Sequence, residues 1–176
     1  MIESTAASRQ GEKTWHESWH SLANTCGLNY RPGWTSDPYL VGAALAAMGY
    51  WIVLAVVGIA GSPNGAAVDL MVVLSVVLWQ PVLEELFFRG VLQGLLLEAT
   101  GGCLFYGSLT VANVATSLVF ASAHLPAHQL LWVAGIGVVS LVLGYLRERL
   151  GSLYPSVLLH SYYNGGYLLM MGWASQ

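Results

Sequence analysis

Charge is what this chain lacks most. Only 9% of its 176 residues are charged, where a soluble globular domain carries roughly a quarter, and no acidic or basic block interrupts it. That excludes most soluble folds, a basic nucleic-acid footprint and a disordered charged tail. Cysteine is scarce as well: Cys26 and Cys103 stand in unrelated contexts, without CxxC or Cys/His spacing, and say little about redox compartment. No HExxH pair occurs. What fills the chain is apolar, with 56% hydrophobic residues and a mean hydropathy of +0.61. The net charge of −3 is too small and too dispersed to nominate a charged partner. The class that remains is integral membrane protein, one domain at this length.

Residues 1–37 read as a polar, interfacial lead. They hold Arg9, Lys13 and Arg31 among Glu, Ser, Thr, Trp and His, with no apolar run of signal-peptide type. Trp15, Trp19 and Trp34 suit the headgroup zone, which amphipathic rings favour. Residues 38–176 read as the transmembrane domain. Tyr39 to Ala60 supplies 22 apolar residues, matching the ~20 that cross ~30 Å of hydrocarbon at 1.5 Å per residue. Gly61 to Gly65 is a turn by composition. Ala66 to about Leu97 is too long for one straight span, and Pro81 predicts a perturbed helix there, because proline removes a donor and crowds the preceding turn. Segment three is expected from about Leu104 to Ala123, before Pro126. Segment four covers about Leu130 to Leu146 and segment five about Leu153 to Trp173, with Arg147, Glu148 and Arg149 in the loop between them. The expected fold is an all-α, polytopic transmembrane bundle of about five spans.

Basic residues are retained on the cytoplasmic side. With five spans the lead and the Arg147 to Arg149 loop share one side, which then holds five of the six basic residues. The N-terminus is therefore expected to be cytoplasmic and Gln176 outside, in a bacterial inner (cytoplasmic) membrane. One tension follows: His124 falls near the outer end of segment three, whereas Glu84 lies near the middle of segment two. Either segment three begins later than Leu104, or a break at Pro81 shifts Glu84 outward.

Ionisable groups at membrane depth cost roughly 2.5 to 3.5 kcal/mol each even on insertion scales, so a sequence that keeps several has a use for them. Glu84, Glu85, Arg89, His124 and His160 fall within the spans. Glu85 and Arg89 stand four apart on one helical face, carboxylate first, which favours pairing. Their expected role is structural, a buried ion pair that fixes helix orientation. The helical period turns Glu84 about 100° away, onto the face of Gln80 and Phe88. It is the carboxylate without an intrahelical cation, and in low dielectric such a group suits a general base that must take and return a proton. His124 closes segment three, with Asn113, Ser117 and Phe120 before it on roughly one face. His160 and Asn164 are again four apart, with Ser156 a turn earlier. A carboxylate, two imidazoles and an amide are the parts for activating a water, with Glu84 and His124, and for donating to an oxyanion, with His160 and Asn164.

The runs Glu84-Glu85-Leu86-Phe87-Phe88-Arg89 (EExxxR), Phe120 to His124 (FxxxH) and His160 to Asn164 (HxxxN), in that order on three hydrophobic segments, resemble the motifs of the CPBP family, also called the Abi or CAAX-protease family. The stretch Gly144 to Pro155 resembles that family's approach to its third motif. The likeness covers about residues 78–166, half of the chain. It implies an intramembrane endopeptidase of glutamic type, often labelled a metalloprotease, with Glu84 and His124 activating water and His160 with Asn164 at the oxyanion. The implied partners are the lipid bilayer and a peptide or protein substrate with a membrane-associated C-terminal segment, CAAX-like or a sorting signal; no nucleic acid is expected. Larger members carry more spans, so this chain looks like a short bacterial-type member, a trimmed core with one helix ahead of it.

Each residue also has a plainer reading. His124 would cap its helix before Pro126, and His160 and Asn164 would be interhelical hydrogen-bond glue. His128 would be an exposed interfacial histidine, and Gly135, Gly137 and Gly144 would serve close helix packing. Two histidines and two glutamates suffice for zinc, but they would come from three helices, so no metal and no other cofactor is expected. Intramembrane Glu and His also build proton relays, which makes a small transporter the rival class and a non-catalytic membrane immunity or partner protein the third. A protease needs Glu84 and a cleavable peptide, whereas a relay shows pH-gradient-dependent flux without cleavage. The protease is the reading adopted.

Overall fold

Asp37 opens the first long helix. In the computed structural model, which describes residues 20–57 and 69–171, its side chain accepts from the backbone N–H of Tyr39 and Leu40, and Pro38 occupies the first turn, where no donor is missed. A short helix, α1 (20–26), precedes it and ends at Gly27, whose φ of 66° suits glycine. Five further helices follow: α2 (Pro38–Val56), α3 (Leu70–Thr100), α4 (Val111–Ala123), α5 (Leu130–Leu150) and α6 (Tyr154–Met171). The tryptophans Trp15 and Trp19, the turn over Gly61 to Gly65 and the end of segment five at Trp173 lie outside the described residues.

The perturbation expected near Pro81 takes a definite form. α3 is continuous over 31 residues but widens twice into π-helical turns, at Leu74–Trp79 and at Leu86–Leu92. Between them Gln80–Glu85 is an ordinary α-turn with Pro81 in its first turn, where a missing N–H is best tolerated. Single π turns inside α-helices are rare and gather at functional sites.

Segment three begins later than Leu104. Leu104–Tyr106 (β1) and Leu109–Thr110 (β2) instead pair antiparallel across a tight turn, in which Gly107 takes the left-handed φ of 58°. Thr110 Oγ1 then accepts the Asn113 N–H at 2.9 Å and starts α4 at Val111. At 1.5 Å per residue α4 rises roughly 20 Å from the hairpin, and α3 climbs roughly 24 Å from Thr100 back to Glu84, within one turn of the same height. The later start therefore brings His124 level with Glu84. Arg147, Glu148 and Arg149, expected in a loop, form the last turn of α5 before Gly151 (φ 58°); cations there complement the helix dipole.

Polarity is inverted relative to a soluble protein. Glu85, Arg89, Gln93, Asn113, Ser140 and Ser156 have no exposed surface, whereas Val56 is 81% and Leu131 88% exposed. Among the described residues three helices, α2, α3 and α5, are long and apolar enough to cross a membrane, and α4 is a shorter apolar helix. The chain is a helical integral membrane protein. Among the described residues an apolar knot of Leu40, Leu143, Leu146 and Leu159 joins α2, α5 and α6. Close approaches are made by glycine: a Cβ at Gly144 would strike the Asn113 amide, and one at Gly166 the Trp51 indole. Gly135, expected to pack closely, faces open space, because the α4–α5 contact lies further along α5. The lead is docked rather than loose from residue 20 onward: Arg147 Nη2 donates to Thr25 O at 2.7 Å, and the Leu153 N–H to Gly27 O at 2.8 Å.

Candidate active site

The α-turn between the two wide turns of α3 carries both glutamates. Glu85 is fully buried, and Arg89 Nη1 lies 2.9 Å from its Oε1. That N–H is not aimed at the carboxylate, so the contact is ionic without being a hydrogen bond. Arg89 is held from α5 instead, where Nη2 donates to Ser140 Oγ at 2.8 Å and to Ser140 O at 3.3 Å. Its guanidinium also lies over the Phe120 ring of α4, 4.4 Å from the centroid. One arginine thus touches three helices.

Glu84 points elsewhere, as a 100° rotation requires. Its Oε1 accepts from Gln80 Nε2 at 3.0 Å, one turn back, and its side chain keeps 21% exposure where that of Glu85 has none. His160, from α6, reaches both carboxylates: Nδ1 is 2.8 Å from Glu85 Oε1, and Nε2 is 3.7 Å from Glu84 Oε2. The Glu85 bond fixes the ring's orientation and sends Nε2 toward Glu84. One turn on, Asn164 Nδ2 donates to the backbone oxygen of Val76 on α3 at 2.9 Å.

His124 follows the last residue of α4, and its Nδ1 lies 2.8 Å from Phe120 O. As a donor there it caps its own helix and leaves Nε2 free to accept. Phe120 is the hub between the halves of the site, its ring 4.9 Å from Phe88, 4.8 Å from His124 and 6.0 Å from His160. His128 stacks at 6.2 Å on the far side of His124. The fold therefore gathers Glu84, Glu85, Arg89, His160 and Asn164 along one α3–α6 seam, and Phe120 connects His124 to it.

Two features escaped the sequence reading. Ser140 gave only a weak signal, a lone hydroxyl in an apolar run. The second is a polar seam nearer the hairpin: Gln93 Nε2 donates to Glu148 Oε1 at 2.6 Å and to Gly144 O at 3.1 Å, and Thr110 Oγ1 donates to the same Glu148 oxygen at 2.7 Å. Placing Glu148 in a loop hid that role. Among the described residues no group of three or more His, Cys, Asp and Glu side chains is arranged to hold a metal.

A family model described as "Type II CAAX prenyl endopeptidase Rce1-like" matches residues 66–166, more than half of the chain and the whole of this seam. No curated protein and no solved structure matches the chain.

Proposed function

The chain belongs to the type II CAAX prenyl endopeptidase Rce1-like family, and on that membership we propose that it hydrolyses a peptide bond in or beside the membrane with a water activated by Glu84 and His124. Glu84 takes a proton from the water, whose oxygen then bonds to the scissile carbonyl carbon. His160 and Asn164 donate to the negative oxygen that develops. When the C–N bond breaks, Glu84 returns the proton to the departing amine, so one group serves as base and then acid. Glu85 and Arg89 do no chemistry in this scheme; they fix the orientation of His160 and of α3 against α5.

What carries this reading is the position of His160, bonded to the buried Glu85 while its other nitrogen stands 3.7 Å from the half-open Glu84. A purely structural trio would have no reason to leave Glu84 bound only to Gln80. The substrate is a protein with a membrane-associated C-terminal segment, CAAX-like or a sorting signal. The test is to incubate the reconstituted protein with a farnesylated CAAX peptide and follow it by mass spectrometry. A new C-terminus that disappears in Glu84→Gln is expected; cleavage by Glu84→Gln at the wild-type rate would remove Glu84 from the role of base.

We also propose five spans, α2 to α6, with the N-terminus in the cytoplasm of a bacterial cell. What supports this is that α1 touches the last turns of α3 and α5 and the start of α6, through Thr25 to Glu98 and Arg147 and through Gly27 to Leu153. Those ends therefore share one side, as an even number of crossings between them requires.

A further inference from the structure

We infer that Pro81 is a positioning residue for the oxyanion site: by lacking an N–H it leaves the Val76 carbonyl to the side-chain amide of Asn164. In the first wide turn of α3 the backbone bonds run from residue i+5 back to residue i, and the Gln80 N–H goes to Ser75 O. In an α-turn that donor would have gone to Val76 O. The next donor in the wide register belongs to residue 81, and proline has none. Val76 O is thus passed over by Gln80 and by Pro81 in turn. Within a membrane span no water is at hand to replace a lost backbone partner. The partner comes from α6, where Asn164 Nδ2 donates to Val76 O at 2.9 Å.

A carboxamide nitrogen carries two hydrogens. One held by Val76 O fixes the plane of the amide, and the other remains for a substrate oxygen. The same pairing sets the register of the helices. His160 lies one turn before Asn164 and meets Glu84 and Glu85, one turn after Pro81, so α6 grips α3 on both sides of the proline. Pro81 is fully buried at this junction.

The inference rests on the reading of Asn164 as an oxyanion donor, and a double-mutant cycle tests the two separately. Wild type, Asn164→Ala, Pro81→Ala and the double variant are reconstituted as the full chain in phosphatidylcholine vesicles, with thermal unfolding and turnover of a farnesylated CAAX peptide both measured. In the native background Asn164→Ala strands Val76 O and is expected to lower the melting temperature. In the Pro81→Ala background the new backbone N–H takes that carbonyl, so the same change should cost clearly less. Pro81→Ala alone should lower kcat about tenfold with KM unchanged, because the amide is no longer held. The roughly 10²-fold loss expected from removing one oxyanion donor should accordingly shrink in that background. Truncating a buried proline opens a gap, so Pro81→Val, which restores the N–H with more bulk, is run as a parallel cycle. Additive melting shifts in both cycles overturn the inference. So does coupled melting with a kcat that Pro81→Ala leaves at the wild-type value. If wild type does not turn over the peptide at all, the protease reading fails and takes the positioning role with it, while the melting cycle still decides whether Pro81 and Asn164 share Val76 O.

Discussion

Neighbouring glutamates, one residue apart, meet opposite environments here. Glu85 sits in a dry junction with Arg89 and His160, while Glu84 keeps partial exposure and a single bond from Gln80. Glu84→Gln is therefore expected to lower turnover by at least ~10²-fold, the lower end of what a positioned base contributes, at an unchanged melting temperature. Arg89→Ala should act oppositely. It strands Glu85 in the interior, which costs about 3 to 5 kcal/mol in the worst case, so folded yield and melting temperature should fall first. Unchanged melting with abolished turnover would instead place the pair in the chemistry. EDTA is expected to leave turnover unchanged, since protein groups supply all the charge stabilisation proposed; loss with chelator and recovery on adding zinc would replace the glutamate mechanism with a metal-bound water.

Helix ends in this protein are set by short local signals, and the one at Asp37 also responds to pH. Desolvation would raise its carboxyl, but the bond from Arg149 at 3.1 Å and those from the backbone N–H of Leu40 and Tyr39 outweigh it and hold it below the ordinary 3.8. A carboxyl lowered on folding contributes stability that is fully present above its unfolded value and is lost as pH falls through the lower folded one. Acidification below 3.8 should therefore loosen the start of α2 from the end of α5. Protection of the Tyr39 and Leu40 amides from hydrogen exchange, relative to the intrinsic rate at each pH, is expected to fall there in the wild type. In Asp37→Asn, which keeps a capping oxygen but carries no charge to lose, that protection should not change over that range. α4 shows what such signals decide: Gly107 and Thr110, not the apolar run from Leu104, set where that helix begins.

At the level of the whole molecule, the five crossings proposed would put the exposed Cys103, between α3 and β1, on the side of the lead, and the α4–α5 connection at Ala127 on the other. In a Cys26→Ser background a membrane-impermeant maleimide should label Cys103 only in inverted vesicles. A single cysteine from Ala127→Cys, with both native cysteines removed, should label only from outside. Labelling of both from one side would refute the crossing number.

The sequence alone determined the environment and the inventory. Low charge with long unbroken apolar runs points to a helical membrane protein, because a helix bonds its backbone internally over such a run whereas the strands of a membrane barrel alternate apolar with polar residues, and four-residue spacing was enough to separate Glu84 from the face of Glu85 and Arg89. Periodicity speaks only within one helix, however. Contacts between helices depend on where each begins, how α3 widens around Pro81, and which glycines admit a neighbour. Only the tertiary structure decided that His160 bridges both glutamates, that Ser140 holds Arg89, that Glu148 joins Gln93, and that a carbonyl freed by a proline is filled by Asn164 from 88 residues away. Each joins groups far apart in the chain, where no spacing rule applies.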